Sequence, residues 1–392
     1  MAEPERPRIV VAGGGVAGLE TCLALRAFLG EADLMIDLLS REARFEYRPL
    51  AVLEPFAGAP AWSMELARFA EDQDVRLIPD ALAAVRPEQR VAATAYSGHL
   101  AYDALVVCVG ARAVDSVPGA LTFRGGRDAP AVGAALDAVR PGERATIVFA
   151  APDAACWTLP LYELAILAAA RLRIRGTRAH VVLASEEAAP LEAFGPQAST
   201  AMGDLLEDRG VEFVGGARPL AAEAGELELD DGQRIPASVI VSLPSLRGRR
   251  IPGVPHDAAG FVAVDEHQHV LATDGVYAAG DVTTFAIKQG GLAAQQADAA
   301  AEAILASLGM PILPRPFEPV LKGVLYTDAE PVYLRAPGSG GAPAPRAYSL
   351  WWPPSKIAGR HLAPYLATQA GAPRAPELRP RGDGLPVRVD VA

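Results

Sequence analysis

The residues that most directly suggest chemistry are the glycines of a short turn near the N-terminus. Gly13, Gly15 and Gly18 form a G-x-G-x-x-G motif directly after an apolar run. Gly13 permits a tight bend, Gly15 lets backbone N–H groups approach a pyrophosphate, and Gly18 lets the next helix pack close to its strand. That helix starts at Val16 and Ala17, and its N-terminus directs partial positive charge toward phosphates. The turn therefore predicts a dinucleotide site.

A second motif, more than 250 residues downstream, complements the first. Gly280 and Asp281 follow the apolar segment 276–279, which places the Asp281 carboxylate to accept a hydrogen bond from a ribityl hydroxyl. Gln289 and Gly290 then open a long helix. The N-terminus of this helix would stabilise the negative charge that develops at the N1/C2 carbonyl region of a reduced flavin. Together the two motifs predict one FAD held from both ends.

Four side chains near these motifs leave alternatives open. Lys288 either adds positive charge beside the flavin or is a solvated surface lysine. Ser40 ends the second strand, where a ribose-binding acid is expected about 20 residues after the glycine motif. Ser40 or Glu42 could bond a ribose hydroxyl, and Arg41 could face a phosphate. The alternative for Arg41 and Glu42 is an exposed loop without a ligand.

The three cysteines, Cys22, Cys108 and Cys156, form no C-x-x-C pair and lie far apart in the sequence. This spacing argues against a disulfide framework and against a zinc site, so no metal is expected. Cys22 and Cys108 are expected to be small core residues. Cys156 precedes a predicted helix whose N-terminus would lower the pKa of its thiol. It is the candidate redox thiol, with a packing role as the alternative.

An alternating order of strands and helices must position these groups. Residues 8–12 and 34–39 read as parallel strands joined by a helix over 16–29, which is the βαβ context that the glycine motif requires. A second α/β unit begins with the strand 145–149 and a helix over 158–172. The other expected elements are a helix over 62–71, strands over 75–78, 104–109, 179–184 and 239–243, and a helix from Gly290 to about Leu308.

These elements predict an α/β protein with two Rossmann-like (three-layer ββα) dinucleotide-binding domains and a small C-terminal module. Pro118-Gly119 and Pro252-Gly253 mark the expected boundaries, since Pro and Gly punctuate elements and loops. The expected division is a discontinuous FAD-binding domain of residues 1–118 and 252–310, a second, degenerate NAD(P)-type domain of residues 119–251, and a C-terminal module and tail of residues 311–392.

Composition excludes several classes of function. The net charge of −11 argues against nucleic-acid binding, because phosphate recognition needs a basic face. No apolar run approaches the ~18 residues of a membrane span, and the N-terminus has no apolar signal core. A cytoplasmic location is expected. Prolines interrupt the stretch 373–392, so an amphipathic membrane-binding helix and peripheral membrane contact are not expected there. The sequence leaves open whether the chain forms a homodimer.

The sequence resembles the FAD-dependent pyridine nucleotide-disulfide oxidoreductase superfamily, and within it the branch of type II NADH dehydrogenases and sulfide:quinone oxidoreductases. The resemblance implies FAD as cofactor, Gly110 at its adenine side, and Arg48 and Pro49 near the flavin. It is carried by five segments, which are residues 11–18, 45–50, 102–110, 280–281 and 288–296.

Two departures from this resemblance bear on the electron donor. NADH-using relatives carry a second glycine motif in the second domain, where this chain has the glycine-free turn 150–156. Side chains there would crowd a pyrophosphate, which disfavours direct oxidation of NAD(P)H. Sulfide:quinone enzymes also lack that motif and carry a cysteine ahead of a Tyr-Glu pair, as Cys156 precedes Tyr162 and Glu163. No later cysteine exists here to complete their sulfur relay.

The expected function is an FAD-dependent oxidoreductase that passes electrons from a donor to a small-molecule acceptor, with a quinone as one candidate. The first alternative is an atypical sulfide:quinone-type oxidoreductase that uses Cys156. The second alternative is a flavin-binding sensor or interaction protein with little turnover, because neither the donor site nor a relay thiol is complete.

Overall fold

The computed structural model describes residues 6–29, 34–57, 61–153, 157–336, 351–353, 355–369 and 371. Cys156, the predicted redox thiol, lies outside the described residues, and so does all of the expected tail 371–392 except its first residue. Two five-stranded parallel sheets with helices packed on them dominate the described chain. The predicted α/β class is confirmed.

The helices and strands follow one another in three stretches. The first stretch contains β1 (Arg8–Ala12), α1 (Val16–Leu29), β2 (Met35–Leu39), β3 (Arg44–Glu46), α2 (Glu54–Ala57), β4 (Ser63–Glu65), α3 (Leu66–Asp72), β5 (Arg76–Ile78), β6 (Leu82–Arg86), β7 (Val91–Thr94), β8 (His99–Ala101), β9 (Ala104–Val107) and β10 (Arg112–Val114). The second stretch contains β11 (Leu121–Thr122), α4 (Ala129–Asp137), β12 (Arg144–Ala150), α5 (Leu159–Ile174), β13 (Arg178–Ala184), α6 (Pro196–Arg209), β14 (Val211–Val214), β15 (Pro219–Glu223), β16 (Glu226–Leu229), β17 (Arg234–Pro236), β18 (Val239–Ser242) and β19 (Ser245–Arg247). The third stretch contains β20 (Val276–Ala278), α7 (Gly290–Ser307), β21 (Lys322–Leu325), β22 (Val332–Arg335) and α8 (Leu362–Thr368).

The first sheet has the strand order β20-β9-β1-β2-β5, and all of its pairings are parallel. Strand β1 lies at its centre, and Val10 and Val11 are fully buried because both faces of the sheet are covered. Parallel strands end at one common edge. The turn after β1 and the turn after β20 therefore come together there, although most of the chain separates them.

The second sheet has the order β11-β18-β12-β13-β14 and is also parallel. Helix α5 packs against it and is apolar on nearly every side, with Leu161, Leu164 and Ile166 fully buried. Its outer side is covered by the hairpin β21–β22, which contributes Leu325 and Leu334 to the same core. The C-terminal module thus buries the helix that carries Glu163 and its neighbours.

A two-stranded antiparallel ribbon, β10–β19, links the two sheets. Strand β10 follows β9 of the first sheet, and β19 follows β18 of the second sheet. In this ribbon Arg112 lies opposite Arg247, and Val114 lies opposite Ser245. The domain boundaries expected near Pro118 and Pro252 lie in loops close to these two strands, and the division itself stays a prediction.

The expected helix over 62–71 is wrong in its first part. Ser63–Glu65 forms strand β4, which pairs with β3 so that Met64 lies opposite Phe45. Both of these side chains are buried, whereas their strand neighbours are more exposed, which is the alternation of a half-buried strand. Helix α3 begins only at Leu66. A tertiary pairing has therefore overridden the local helical pattern.

Candidate functional site

A cleft of about 930 Å³ runs along the edge of the first sheet where its parallel strands end. Residues predicted to hold the cofactor are concentrated in its wall. Those that line the cleft are Gly13, Gly15, Val16, Ala17, Ser40, Arg41, Glu42, Arg48, Pro49, Gly110, Gly280, Asp281 and Gly290.

Two predicted cofactor residues stand behind the wall of this cleft. A Cβ added to Gly18 would overlap the carbonyl oxygen of Gly13, so Gly18 is where helix α1 packs against its own turn. Gln289 caps α7: its Oε1 accepts a hydrogen bond from the N–H of Leu292 at 2.9 Å, and its Nε2 donates to the carbonyl oxygen of Lys322 at 3.1 Å. Both residues fix the backbone that forms the cleft.

The glycine turn has the shape that a bound phosphate requires. Gly13 has φ of 127°, and an added Cβ would overlap the carbonyl group of Cys108, so only glycine fits there. At Gly15 an added Cβ would meet no heavy atom within 4 Å, because this side of the turn faces the open cleft. Helix α1 starts directly afterwards at Val16, and its N-terminus faces the same space.

The second motif meets the first one at Gly280. This residue has φ of 84°, and an added Cβ would lie 3.1 Å from the Cβ of Ala17 and 3.4 Å from the Cβ of Ala293. The N–H of Gly280 donates to Oε1 of Gln296 on α7 at 2.7 Å. The structure therefore brings together the two turns that the sequence predicts to act on one ligand.

The Asp281 carboxyl group lies in the cleft wall beside Gly280. Burial raises the pKa of Asp281, whereas the positive charges of Lys288 and Arg48 act to lower it. None of the groups in the described part of the chain donates a hydrogen bond to this carboxylate. An acceptor that is partly desolvated and open to the cleft suits a ligand hydroxyl.

Lys288 lies behind this acid. Its ammonium group donates to the carbonyl oxygen of Thr283 and lies 4.1 Å from the ring centroid of Phe261. Burial lowers the pKa of Lys288 to about 8, against the opposing effects of Asp281 and Asp257. Its predicted catalytic role stays a prediction.

At the other end of the cleft, Ser40 and its neighbours bond to one another. The buried Ser40 hydroxyl donates to the carbonyl oxygen of Glu42 at 2.9 Å. Arg41 and Glu42 form an exposed ion pair at 2.9 Å. The three residues line the cleft, and the lone pairs of the Ser40 oxygen, Oε2 of Glu42 and the other guanidinium nitrogen of Arg41 take no part in these bonds.

The sequence reasoning missed a buried ion pair close to the cleft. Nζ of Lys356 donates to both carboxylate oxygens of Glu163, at 2.5 and 2.6 Å, and to the carbonyl oxygen of Pro49 at 3.1 Å. The N–H of Tyr326 donates to the same carboxylate at 2.7 Å. Burial raises the pKa of Glu163 and lowers that of Lys356. The signal was present: Glu163 is an isolated charge within an apolar helix.

Two acids, the buried Glu20 and the partly buried Asp298, lie between α1 and α7. The Glu20 carboxylate accepts hydrogen bonds from the N–H groups of His361 and Leu362, both at 2.7 Å, and so anchors the start of α8. Burial and the charge of Glu20 raise the pKa of Asp298 to about 8. This pair holds the C-terminal module onto the first sheet.

Comparison with known proteins identifies the family. The family described as pyridine nucleotide-disulphide oxidoreductase matches residues 7–301. The chain belongs to this family. Among its curated relatives, an NADH dehydrogenase-like protein of Mycobacterium tuberculosis is 25% identical over 303 residues, which are 70% of this chain and 72% of that protein.

Solved structures share the fold of this pyridine nucleotide-disulphide oxidoreductase. The sulfide:quinone oxidoreductase of Aquifex aeolicus superposes with a TM-score of 0.74 at 20% identity, covering 84% of this chain and 83% of that chain. A ferredoxin reductase of Rhodopseudomonas palustris superposes with a TM-score of 0.65 at 20% identity, covering 86% and 84%. The predictions of an FAD-dependent oxidoreductase and of FAD as its cofactor are confirmed.

The cleft of this pyridine nucleotide-disulphide oxidoreductase fits FAD. Gly15 leaves open space in front of a helix N-terminus, where a pyrophosphate binds. Asp281 offers an acceptor to which none of the described residues donates, at the other motif, where a ribityl hydroxyl would lie. Gly280 permits the close contact with Ala17 that puts both groups on one ligand. The individual contacts of FAD with these residues remain predictions.

Both cysteines that the structure describes in this pyridine nucleotide-disulphide oxidoreductase are enclosed in its core. Cys22 and Cys108 are buried, and burial raises the pKa of Cys108 to about 12.

In the described ranges no group of three His, Cys, Asp or Glu side chains is arranged to hold a metal ion. No helix of the described part combines the length and apolar character needed to span a bilayer.

Proposed function

We propose that this enzyme passes electrons through FAD to a small-molecule acceptor of the quinone type, from a donor other than NAD(P)H. FAD, when bound, supplies the two-electron redox chemistry. The observation that carries the proposal is the buried pair of Glu163 and Lys356 directly behind the cleft wall. The proposal rests on the ability of these two side chains to hold and release a proton.

Reduction of a quinone takes two protons as well as two electrons, so a protein group that holds a proton near the acceptor would assist the reaction. Lys356 donates to the carbonyl oxygen of Pro49, and both Pro49 and Ile357, the residue after Lys356, line the cleft. Burial raises the pKa of Glu163 and lowers that of Lys356, and both shifts favour transfer of a proton from the ammonium group to the carboxylate. Glu163 and Lys356 can thus store a proton one residue behind the cleft.

Aromatic side chains of the C-terminal module favour a flat, apolar acceptor. Nζ of Lys356 lies 4.5 Å from the ring centroid of Tyr326. Nearby, Tyr333 and Trp351 pack edge to face with centroids 5.4 Å apart. Trp352 is 78% exposed, which leaves a large apolar surface beside this cluster. A quinone ring stacks on such surfaces, whereas a highly charged acceptor gains little there.

The second sheet argues against NAD(P)H as donor. The turn after β12 has no glycine, and Pro152 has no N–H to offer a phosphate. Oδ2 of Asp153 accepts a hydrogen bond from the Ser245 hydroxyl at 3.1 Å, which holds an acid in the turn where a pyrophosphate would pass. Negative charge at that point repels a dinucleotide.

NADH oxidation is the second candidate function, and one residue favours it. Glu186 is exposed two residues after the end of β13, the second strand of the β12–α5–β13 unit. An acid at this place hydrogen-bonds the ribose of NAD in dinucleotide-binding folds. The Mycobacterium relative is named as NADH dehydrogenase-like, and this name points in the same direction.

An anaerobic titration separates these functions. FAD-loaded protein is mixed with NADH, NADPH or sulfide, and loss of the oxidised-flavin absorbance is followed. The reduced protein is then mixed with a water-soluble quinone. We expect no stoichiometric bleaching by NADH or NADPH, and rapid reoxidation by the quinone. Stoichiometric bleaching by NADH would establish the second candidate, and no turnover with any pair would support the sensor alternative.

A variant tests the proton-storing role of the ion pair. We expect Glu163→Gln to slow quinone reduction by about 10²-fold, the size of a typical proton-transfer contribution, and to flatten its pH profile. The matched control is Glu187→Gln, because Glu187 is also a buried carboxylate and bonds Tyr162 away from the cleft. Equal rates in Glu163→Gln and wild type would refute the role. Sulfide reactivity that survives in Cys156→Ser would exclude the thiol alternative.

A further inference from the structure

A pocket of about 670 Å³ opens beside the cleft, and arginines dominate its wall. We refer to it as the arginine pocket. Its main lining residues are Arg112, Arg247, Arg249, Arg250, Ala258 and Ala259. A concentration of guanidinium groups is unexpected on a chain whose net charge is −11.

The ribbon β10–β19 places two of these arginines directly opposite each other. Arg112 and Arg247 are cross-strand partners, and like charges in this arrangement destabilise a strand pair. Among the described residues, no carboxylate lies within ion-pair distance of Arg112, Arg247 or Arg249. Elsewhere arginines do find acids, as Arg171 does with Asp137 at 2.8 Å. Ion pairs within the described part of the chain therefore do not account for this cluster.

The positive charges of neighbouring arginines repel the guanidinium group of Arg249. Partial burial lowers the pKa of Arg249, and the charges of Arg41, Arg48 and Arg112 lower it further, while Glu42 acts in the opposite direction. An anion among these groups would remove an unfavourable interaction as well as form new hydrogen bonds.

The floor of the arginine pocket is a fixed piece of backbone. The N–H of Gly248 donates to the carbonyl oxygen of Ala259 at 3.0 Å, and a Cβ added to Gly248 would overlap the backbone of Gly260. Arg250 donates to the carbonyl oxygen of Ala258 at 2.6 Å. The segments around Gly248 and Ala259 are thus held together, which fixes the backbone positions of the arginines beside Gly248.

The arginine pocket is only partly shared with the cleft. Arg249 and Arg250 line both spaces, whereas Arg112 and Arg247 line the arginine pocket alone. The pyrophosphate of FAD is expected at the glycine turn around Gly15. Its two charges therefore leave Arg112 and Arg247 without a counter-ion.

We propose that the arginine pocket binds a small molecule carrying two or more phosphate groups while FAD occupies the cleft. Arginine presents a planar fork that matches phosphate oxygens in a bidentate geometry. The volume lies within the roughly 300–1,000 Å³ of small-molecule sites. The concave shape favours such a ligand over the surface of an acidic protein. The proposal is independent of the electron donor and acceptor.

Calorimetric titration of FAD-loaded protein with inorganic pyrophosphate and tripolyphosphate at low salt tests this site. We expect binding that weakens as salt is added, since exposed charges are screened. The variant Arg112→Gln/Arg247→Gln should bind pyrophosphate at least tenfold more weakly, with an unchanged flavin spectrum. The matched control is Arg234→Gln, because Arg234 pairs with Glu226 and Glu228 on β16. This control should bind pyrophosphate as wild type does.

Thermal unfolding gives a second readout that does not depend on calorimetry. Without added anion, Arg112→Gln/Arg247→Gln should be at least as stable as wild type, because a like-charge pair has been removed. Pyrophosphate should raise the Tm of wild type and leave that of the variant unchanged. Absence of binding, equal binding by wild type and variant, or displacement of FAD by pyrophosphate would overturn the proposal. So would binding of an acidic ferredoxin at these arginines without any binding of pyrophosphate.

Discussion

Lys356 and Glu163, which are 193 positions apart in the chain, form an ion pair that is almost completely excluded from solvent. Glu163 lies on α5, which packs on the second sheet, and Lys356 belongs to the C-terminal module. Through Pro49 the same ammonium group also contacts the first sheet's side of the cleft. One lysine thus joins three parts of the molecule at the place where chemistry is proposed.

Replacing one partner of the Glu163–Lys356 pair should lower the free energy of unfolding more than replacing both partners. We expect Lys356→Met to lower the free energy of unfolding by about 3–5 kcal/mol, because it leaves an uncompensated buried carboxylate. Adding Glu163→Gln should recover part of that loss, with a coupling energy of about 0.5–3 kcal/mol in a double-mutant cycle. Lys322→Met is the control, since Lys322 is partly buried and contacts the Trp351 ring. Additive effects of the two changes would contradict the pairing.

Two alanine substitutions in the glycine turn should act differently. In Gly18→Ala the methyl group would overlap the Gly13 carbonyl oxygen, so the variant should lose about 1–3 kcal/mol or more of stability. In Gly15→Ala the methyl group enters open space in the cleft, so Tm should stay near the wild-type value while FAD affinity falls. Chemical denaturation and FAD titration measure the two effects. A stable Gly18→Ala protein would show that the turn relaxes.

The Asp298 carboxyl group should make stability fall as pH rises. Its pKa is about 8 in the folded protein against an ordinary value of 3.8, so the folded state binds the extra proton between these values. Unfolding then becomes easier as pH increases through that window. Asp298→Asn cannot lose a proton.

The difference in unfolding free energy between Asp298→Asn and wild type should therefore grow from pH 4 to pH 8. The expected gain is at least about 1.4 kcal/mol, the equivalent of one pKa unit. Denaturant titrations at several pH values measure it. A pH-independent difference would place the proton elsewhere, for example on Glu20, whose pKa burial also raises.

Asp281→Ala should weaken FAD binding without harming the fold. A hydrogen bond to a charged group contributes about 1.5–3 kcal/mol, which corresponds to about 10- to 150-fold in affinity. Asp274→Ala, seven residues earlier, is the control, because Asp274 is exposed and pairs only with Arg90 at 2.9 Å among the described residues. FAD titration of the apoprotein measures both. Equal affinities for the two variants would remove Asp281 from the FAD site.

Parts of the fold follow from local sequence. Helix α1 has the predicted bounds, because the glycine turn defines its start and Gly30 follows its last residue in the sequence. The meeting of Gly13–Gly18 with Gly280 also followed from sequence, since strands of a parallel sheet end at one edge. In both cases the relevant information lies within a few residues of each motif.

Other features could not be predicted because they depend on partners far away in the chain. Ser63–Glu65 is a strand only because Arg44–Glu46 offers it an edge. The Lys356 side chain is buried only because Glu163 receives it, and no local periodicity links positions 193 apart. The opposition of Arg112 and Arg247 likewise arises from the register of two strands that the sequence reasoning did not pair.

The first sheet takes β20 from the late part of the chain and inserts it beside β9, after the whole second sheet has been encoded in between. A growing polypeptide on the ribosome consequently exposes the glycine turn long before Gly280 and α7 emerge. The second sheet can assemble first, because the first sheet still lacks its edge strand β20. We therefore expect capture of the flavin to be a late event in biosynthesis, since a product truncated ahead of Val276 lacks the predicted half of the site at Gly280 and Asp281.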